Sequence, residues 1–235
     1  MRQVFLDTET TGLSAAQGDR IIEIGCIEMQ DRRYSGRRLH HYLNPQRASH
    51  PDAVRVHGIT DDFLLDKPLF AAVAQELIEF VAGAEVVIHN AAFDLGFIDS
   101  ELDRLGLPPL QQHVGGVTDT LLMARSMFPG KSNSLDALCK RLEVDNTQRE
   151  LHGALLDAGL LAEVYVRMTR GQESLVIDGH DDSHQQQLAP ALDLRRFELP
   201  LLKASAAECE AHEAVLSELD ETSGGRTIWR HTSMA

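Results

Sequence analysis

The opening stretch of the chain places the strongest constraint on its fold. An apolar run, Val4-Phe5-Leu6, leads into two carboxylates one residue apart, Asp7 and Glu9, and then into a Thr-Thr-Gly turn. If this stretch is a strand, alternate side chains share a face, so Asp7 and Glu9 point the same way. Neighbouring like charges repel, and a fold tolerates them when they are solvated or when a cation lies between them. Both a solvated acidic strand and a site for a hard divalent cation stay open on this stretch alone.

Charge and cysteine content exclude several classes of protein. The 235 residues include 36 acidic and 22 basic side chains, for a formal net charge of -14. Binding of nucleic acid through bulk electrostatics needs clustered Lys and Arg, so a nucleic-acid enzyme of this composition must hold its substrate in another way. Three cysteines without a CxxC pair are typical of a reducing cytosol and offer no thiolate zinc site. We see no signal peptide and no membrane span, and expect a cytoplasmic protein without a membrane partner.

The order of the strand and helix patterns indicates an α/β domain. Residues 4–6, 20–29 and 39–45 have strand patterns joined by short loops, which predicts an antiparallel meander. Residues 70–83 have the spacing of an amphipathic helix, and the apolar stretch 85–90 predicts a buried strand. Helix and strand patterns then alternate to about Thr169. A sheet first, followed by alternating strands and helices, predicts an α/β domain over a mixed sheet.

The character of the sequence changes after Gly171. Residues 179–187 are polar and aperiodic, which predicts a flexible linker. The tail of about 60 residues is too small and too broken to build its own core, and it either binds a partner or packs back on its own domain. We therefore expect a main domain over 1–171, a linker over 172–190 and a small C-terminal segment over 191–235.

Five residues from distant parts of the chain together have the chemistry of a two-metal phosphodiesterase. Asp94 lies in the first turn of a predicted helix, and Asp157 follows His152 near the start of the last large helix of the main domain. Each alone has an ordinary explanation, because the helix dipole favours an Asp in the first turn. With Asp7 and Glu9, however, they supply four carboxylates for two Mg²⁺ ions and a histidine that can take a proton from the attacking water.

Three segments that contain these residues resemble the exonuclease motifs of the DEDDh family, in the family's order. They are residues 7–12, 89–94 and 152–158, and the His-x4-Asp spacing of the third separates this branch from the branch that has Tyr. The resemblance implies a ribonuclease H-like α/β fold, with a mixed sheet flanked by helices. Further segments look like the epsilon subunits of bacterial DNA polymerase III, a family of proofreading 3′→5′ exonucleases: 57–59, 64–68, 128–131 and 133–138.

The resemblance also implies a role for each matched residue. Asp7, Glu9, Asp94 and Asp157 would be the ligands of two divalent metal ions, Mg²⁺ or Mn²⁺. His152 would be the general base.

Two further positions align with residues that contact the terminal nucleotide in this family, together with Asp7, Glu9 and Asp157. These positions are Asp52 and His57. The family residue at position 52 is Glu, so Asp52 has a side chain one carbon shorter. For His57, the alternative is a loop histidine whose ring only forms hydrogen bonds with its own backbone.

The tail is similar to the same family. Gln172, Leu175 and Ile177 lie in a segment that resembles its sliding-clamp-binding motif, and residues 211–229 resemble the part that binds the polymerase alpha subunit. The resemblance implies a DNA primer 3′ end as substrate, with the alpha subunit and the clamp as partners, and allows a small theta-like subunit. A subunit tethered in this way receives its DNA end at high effective concentration, which accounts for its acidic composition.

We therefore predict a proofreading 3′→5′ exonuclease subunit of a replicative DNA polymerase, which hydrolyses mispaired 3′-terminal nucleotides to 5′-monophosphates in the bacterial cytoplasm. Two alternatives remain. A free-standing DEDDh nuclease acting on RNA or tRNA ends would lack the clamp motif and the polymerase-binding tail. A non-catalytic bridging subunit would not need the complete acid set and His152.

Overall fold

The computed structural model describes residues 1–147, 149, 151–170 and 204–224 of the chain. Contacts divide the chain into two compact units, Met1–Ile177 and Asp178–Ala235. The predicted linker and the predicted clamp-binding residues Gln172, Leu175 and Ile177 lie outside the described residues. In the part of the chain that is described, each helix is too short or too polar to cross a membrane.

A mixed sheet forms the centre of the first unit. The strands, in chain order, are β1 (Arg2–Thr10), β2 (Ile21–Gln30), β3 (Arg33–Tyr42), β4 (Glu85–Ile88) and β5 (Gly116–Asp119). Their order across the sheet is β3-β2-β1-β4-β5. The first three strands form the antiparallel meander that the sequence predicts, whereas β1, β4 and β5 run parallel. The mixed sheet expected from the sequence is therefore confirmed.

The bounds of β1 and β3 differ most from the prediction, whereas those of β2 and β4 differ by one or two residues. β1 continues beyond Leu6 to Thr10, because its pairing with β2 extends past both carboxylates. β3 begins at Arg33 instead of Leu39 and ends at Tyr42. Its first six residues are exposed at the edge of the sheet, so they lack the apolar alternation that marks a half-buried strand.

Helices cover both faces of the sheet. In the first unit they are α1 (Pro51–His57), α2 (Asp61–Leu64), α3 (Phe70–Val81), α4 (Ala91–Arg104), α5 (Thr120–Met127), α6 (Leu135–Leu142) and α7 (Ala154–Met168). In the second unit the described residues form α8 (Ala206–Ser223), which begins with a capping box between Ser205 and Glu208.

Alternation along β1 divides the core between the two faces. Val4 and Leu6 lie in a buried cluster with side chains of α3 and α4, whereas Phe5 lies in a second cluster with side chains of α6 and α7. Asp7 and Glu9 follow Phe5 at alternate positions. They therefore share the face that α7 covers, as expected for a strand.

α7 approaches the sheet closely at Gly25. This residue of β2 lies opposite Asp7 in the strand register. A Cβ placed on Gly25 would lie 2.2 Å from the amide nitrogen of Leu155 and 2.3 Å from the carbonyl carbon of Ala154. Only a glycine leaves room for this approach. It allows the first turn of α7, which carries Asp157, to pack against the strand position opposite Asp7.

Candidate active site

The parallel pairing of β1 and β4 brings the first three acids to one edge of the sheet. The carboxyl ends of the two strands meet there. Asp7 and Glu9 lie near the end of β1, and Asp94 lies in the first turn of α4, which follows β4 after a short turn. The Thr8 hydroxyl donates a hydrogen bond to Oδ1 of Asp94 at 2.7 Å and ties the strand to the helix.

Asn90 forms the turn that leads from β4 into α4. Its backbone is left-handed, with φ of 68°, a conformation that asparagine tolerates better than most residues. Asp119 at the end of β5 accepts hydrogen bonds from the backbone N–H groups of Asn90 and Ala91 at 3.3 and 3.1 Å. These contacts fix the start of α4, and hence the direction in which Asp94 points.

The other side of the site comes from the entry to α7. His152 precedes the helix, and its backbone N–H donates to the carbonyl oxygen of Val56 in α1 at 3.1 Å. Asp157 lies within the first turn of α7. His152 is thus on the approach to the helix, with its side chain 44% exposed, whereas Asp157 is fixed inside the helix.

One cavity of about 310 Å³ is lined by all five residues predicted for catalysis and metal binding: Asp7, Glu9, Asp94, His152 and Asp157. Ligand atoms of Glu9, His152 and Asp157 lie within 4.8 Å of one another. Residues as much as 150 positions apart in the chain, Asp7 and Asp157, therefore meet in one place.

The carboxylates in this cavity are poorly solvated. Glu9, Asp94 and Asp157 are 9%, 3% and 2% exposed. Burial, reinforced by the charges of Asp94 and Asp157, raises the pKa of Asp7 well above its usual value. Burial, with the charge of Asp157 adding to it, raises the pKa of Glu9 to about 8. Burial also raises the pKa of Asp94 to about 7.

Such a cluster is costly to keep charged unless a cation neutralises it. Mg²⁺ and Mn²⁺ prefer carboxylate oxygens as ligands, and a histidine nitrogen is also available at this site. The donor set therefore fits divalent metal ions.

Arg149 is a member of the site that no sequence pattern indicated. Its Nε and Nη2 donate to the two carboxylate oxygens of Asp157 at 2.5 and 2.7 Å. Its Nη1 donates to Oδ1 of Asp136 at 2.5 Å, and Nη2 also contacts Nδ1 of His152 at 2.9 Å. The side chain is 5% exposed. Arg149 lies in an aperiodic polar segment, and its only sequence signal is its position three residues before His152.

Asp52 lies outside the acidic cavity. It is exposed in the first turn of α1, where it forms an ion pair with Arg55. It lines a neighbouring cavity of about 700 Å³ together with Gly12 and Leu13. The linings of the two cavities come within three residues of each other along the chain, at Glu9 and Gly12.

His57 is buried at the end of α1, close to His152. Its Nδ1 accepts a hydrogen bond from the Ile59 N–H at 3.0 Å, whereas its Nε2 is buried without a partner among the described residues. Burial lowers the pKa of His57, and the neighbouring His152 lowers it further. The Thr10 backbone is also close enough to raise this pKa, so the backbone alternative for His57 stays open.

A ribonuclease H-like sheet with clustered acids and a histidine at the ends of its parallel strands defines a class of exonucleases. The model of the exonuclease family (RNase_T) matches residues 4–165. DNA polymerase III subunit epsilon of Escherichia coli (strain K12) is 49% identical over 237 residues, which cover 97% of each chain. The subunit epsilon of Pasteurella multocida (strain Pm70) is 48% identical over 236 residues, which cover 97% of this chain and 93% of the relative.

A solved structure supports the same classification. Exonuclease X in complex with 5′ overhanging duplex DNA has a TM-score of 0.54 and 30% identity, with 71% of this chain and 90% of the other chain covered. The chain therefore belongs to the exonuclease family and, within it, to the DNA polymerase III epsilon subunits. The predicted fold and the predicted class, a 3′→5′ exonuclease, are confirmed.

Proposed function

We propose that this chain is the proofreading exonuclease subunit of a bacterial DNA polymerase III, which removes mispaired 3′-terminal nucleotides as 5′-monophosphates. The observation that supports this proposal most strongly is the meeting of four carboxylates and His152 in one cavity. The relatives named subunit epsilon match nearly the whole chain, which favours a polymerase subunit over a free-standing nuclease acting on RNA or tRNA ends. The complete acid set disfavours a non-catalytic bridging subunit.

The four carboxylates would hold two divalent cations, Mg²⁺ or Mn²⁺. When bound, such a pair stabilises the charge on the attacking and leaving oxygens of an in-line displacement at phosphorus. Asp7 and Glu9 present their carboxylates from a strand, and Asp94 and Asp157 present theirs from two helix first turns. Ligands on such rigid elements stay in place when substrate enters.

His152 would take the proton from the attacking water. Burial lowers the pKa of its imidazole, and the neighbouring Arg149 lowers it further, which favours the neutral form that a general base requires. The half-exposed ring borders both the cavity and solvent. It can therefore pass the proton on to bulk water.

The terminal nucleotide would bridge the two cavities, in contact with Asp7, Glu9, Asp157, Asp52 and His57. Because Nδ1 of His57 accepts from the Ile59 N–H, the ring proton lies on Nε2, a buried donor without a partner among the described residues. A polar group of the nucleotide would satisfy this donor. Selectivity for mispaired ends follows because an unpaired end costs less to separate from its template.

A primer degradation assay tests this proposal. A 5′-labelled primer with a paired or mispaired 3′ end is incubated with the chain and Mg²⁺. We expect stepwise shortening from the 3′ end, faster for the mispaired end, release of 5′-monophosphates, and no reaction in EDTA or with Asp7→Ala combined with Glu9→Ala. Internal cleavage, or activity that survives both controls, would contradict the proposal.

The C-terminal residues would provide the partner contacts in the cytoplasmic replication machinery. Gln172, Leu175 and Ile177 would bind the sliding clamp, residues 191–235 would bind the polymerase alpha subunit, and a theta-like subunit is a further candidate partner. Removal of residues 180–235 should preserve nuclease activity on single strands and abolish co-purification with the alpha subunit. Retained co-purification would refute this assignment.

A further inference from the structure

Arg149 joins two residues that have different tasks in the proposed reaction. Its guanidinium binds both oxygens of Asp157 and at the same time contacts Nδ1 of His152. It is therefore in direct contact with a proposed metal ligand and with the proposed general base.

The guanidinium competes with a divalent cation for Asp157. Arginine keeps its positive charge throughout the physiological pH range. A cation bound to the same carboxylate would lie only a few ångströms from the guanidinium, in a poorly solvated place where like charges repel strongly. Full coordination by Asp157 thus requires Arg149 to withdraw from at least one oxygen.

The same contact also blocks His152. A guanidinium can only donate hydrogen bonds, so Nδ1 of His152 must be the acceptor and the ring proton must lie on Nε2. In that arrangement the one free lone pair of the neutral ring is already in use. The imidazole cannot accept a proton from water until Arg149 leaves.

Asp136 is an alternative partner for the guanidinium of Arg149. It lies in the first turn of α6, is exposed, and already accepts a hydrogen bond from Nη1 of Arg149. Arg149 itself lies outside the helices and strands, between α6 and α7. A small rotation toward Asp136 would therefore free Asp157 and His152 without leaving the guanidinium unpaired.

We propose that Arg149 is a tethered counter-ion that divalent metal displaces from Asp157, and that this displacement releases His152 to act as the base. Arg149 is then a positioning residue, because its departure from Asp157 on metal binding also frees the lone pair of His152 that accepts the proton. The inference rests on the proposed function, because it assumes metal binding by Asp157.

Mn²⁺ titration calorimetry on the full chain tests the competition. Arg149→Gln removes the competing charge and should tighten Mn²⁺ binding by about fivefold or more, the range of ordinary coupling between two binding events. Arg149→Lys keeps the charge but loses the bidentate contact with Asp157. Its affinity for Mn²⁺ should therefore lie between those of the wild type and of Arg149→Gln. Arg38→Gln, an exposed change on edge strand β3 with the same loss of charge, should bind as the wild type does.

Nitrogen NMR of labelled histidine tests the release, with His152→Gln used to assign the signal. In wild type, Mg²⁺ should shift the Nδ1 resonance of His152 away from that of a hydrogen-bonded acceptor. In Arg149→Gln, the resonance should have the released value before Mg²⁺ is added.

The outcomes distinguish failure of the Arg149 proposal from failure of the proposed function. Equal or weaker Mn²⁺ binding by a folded Arg149→Gln variant would overturn the role of Arg149 and leave the proposed function intact. If thermal melting shows that this variant is unfolded, Arg149→Lys decides, since unchanged or weaker binding there has the same meaning. Absence of Mn²⁺ binding in every variant, wild type included, would refute the proposed function itself.

Discussion

Asp94 and Asp157 occupy matching positions but have different partners. Each lies in the first turn of a helix, and each is almost completely buried. Asp94 is held by the neutral hydroxyl of Thr8, whereas Asp157 is held by the guanidinium of Arg149. One aspartate therefore has no cation against it from the described residues, and the other is already paired with one.

The comparison teaches that two proposed ligands of one metal site can be stabilised in opposite ways. Without a cationic partner, burial dominates at Asp94 and raises its pKa to about 7. At Asp157 the ion pair offsets the cost of burying the charge, but a metal ion must then compete with Arg149. The two sides of the site should therefore respond differently to the same mutation.

The largest expected effect is common to both aspartates. Asp94→Asn and Asp157→Asn should each lower Mg²⁺-dependent nucleotide release by more than about 100-fold, because even loss of a group that only orients a metal ligand costs about 10- to 100-fold. Single-turnover rates on a mispaired primer measure this loss. Asp62→Asn, an exposed acid in α2, is the matched control. Near-normal activity in either variant would remove that residue from the ligand set.

The stability of the metal-free protein should separate the two aspartates. Asp157→Asn removes one of the two carboxylates that pair with Arg149 but leaves Asp136 in place, and should lower the free energy of unfolding by about 1–3 kcal/mol. Asp94→Asn resembles the protonated aspartate and keeps an oxygen that accepts from the Thr8 hydroxyl, so near neutral pH it should raise the free energy of unfolding instead of lowering it. Urea denaturation in EDTA measures both values. Equal losses would contradict the distinction.

The pH dependence of stability sharpens the same contrast. A carboxyl whose pKa is raised by folding binds its proton more tightly in the folded chain, so the free energy of unfolding falls as pH rises from its unfolded value to its folded value. For Asp94 this window runs from 3.8 to about 7, and for Glu9 from 4.5 to about 8. Asp94→Asn should therefore flatten the decline in metal-free protein between pH 4 and 7, by about 2–4 kcal/mol over the window. An unchanged slope would show that Asp94 does not retain its proton there.

The smallest effect is expected at the hydroxyl that holds Asp94. Thr8→Val keeps the shape of the side chain but removes the donor, which should cost about 1 kcal/mol of stability and about tenfold in activity. Thr8→Ser restores the hydroxyl and should recover most of both. If Thr8→Val and Thr8→Ser behave alike, the hydroxyl does not position Asp94.

The sequence predicts the parts of this site that depend on local periodicity and motif order. Alternation along β1 places Asp7 and Glu9 on one face, and the strand-to-helix patterns place Asp94 and Asp157 at helix starts. Arg149 and Gly25 have no such signal. Arg149 acts through contacts made in three dimensions, and Gly25 matters because the backbone of α7 passes 2.2 Å from where its Cβ would lie. Contacts of this kind depend on how distant elements pack, which no local pattern encodes.

The exposed half of β3 shows that local sequence patterns also miss part of the fold. Its first residues pair with β2 through the backbone, and their exposed side chains are mostly polar; Ser35 and Arg37 add hydrogen bonds to Glu28 of β2. Hydrophobic patterning detects burial, so it finds the buried strands and misses this edge.

The central claim is that four carboxylates hold two divalent cations beside His152. An anomalous difference map from crystals grown with Mn²⁺ tests it most directly. We predict two peaks about 3.5–4 Å apart, in contact with Asp7, Glu9, Asp94 and Asp157. Absence of both peaks, or peaks coordinated by other residues, would contradict the account.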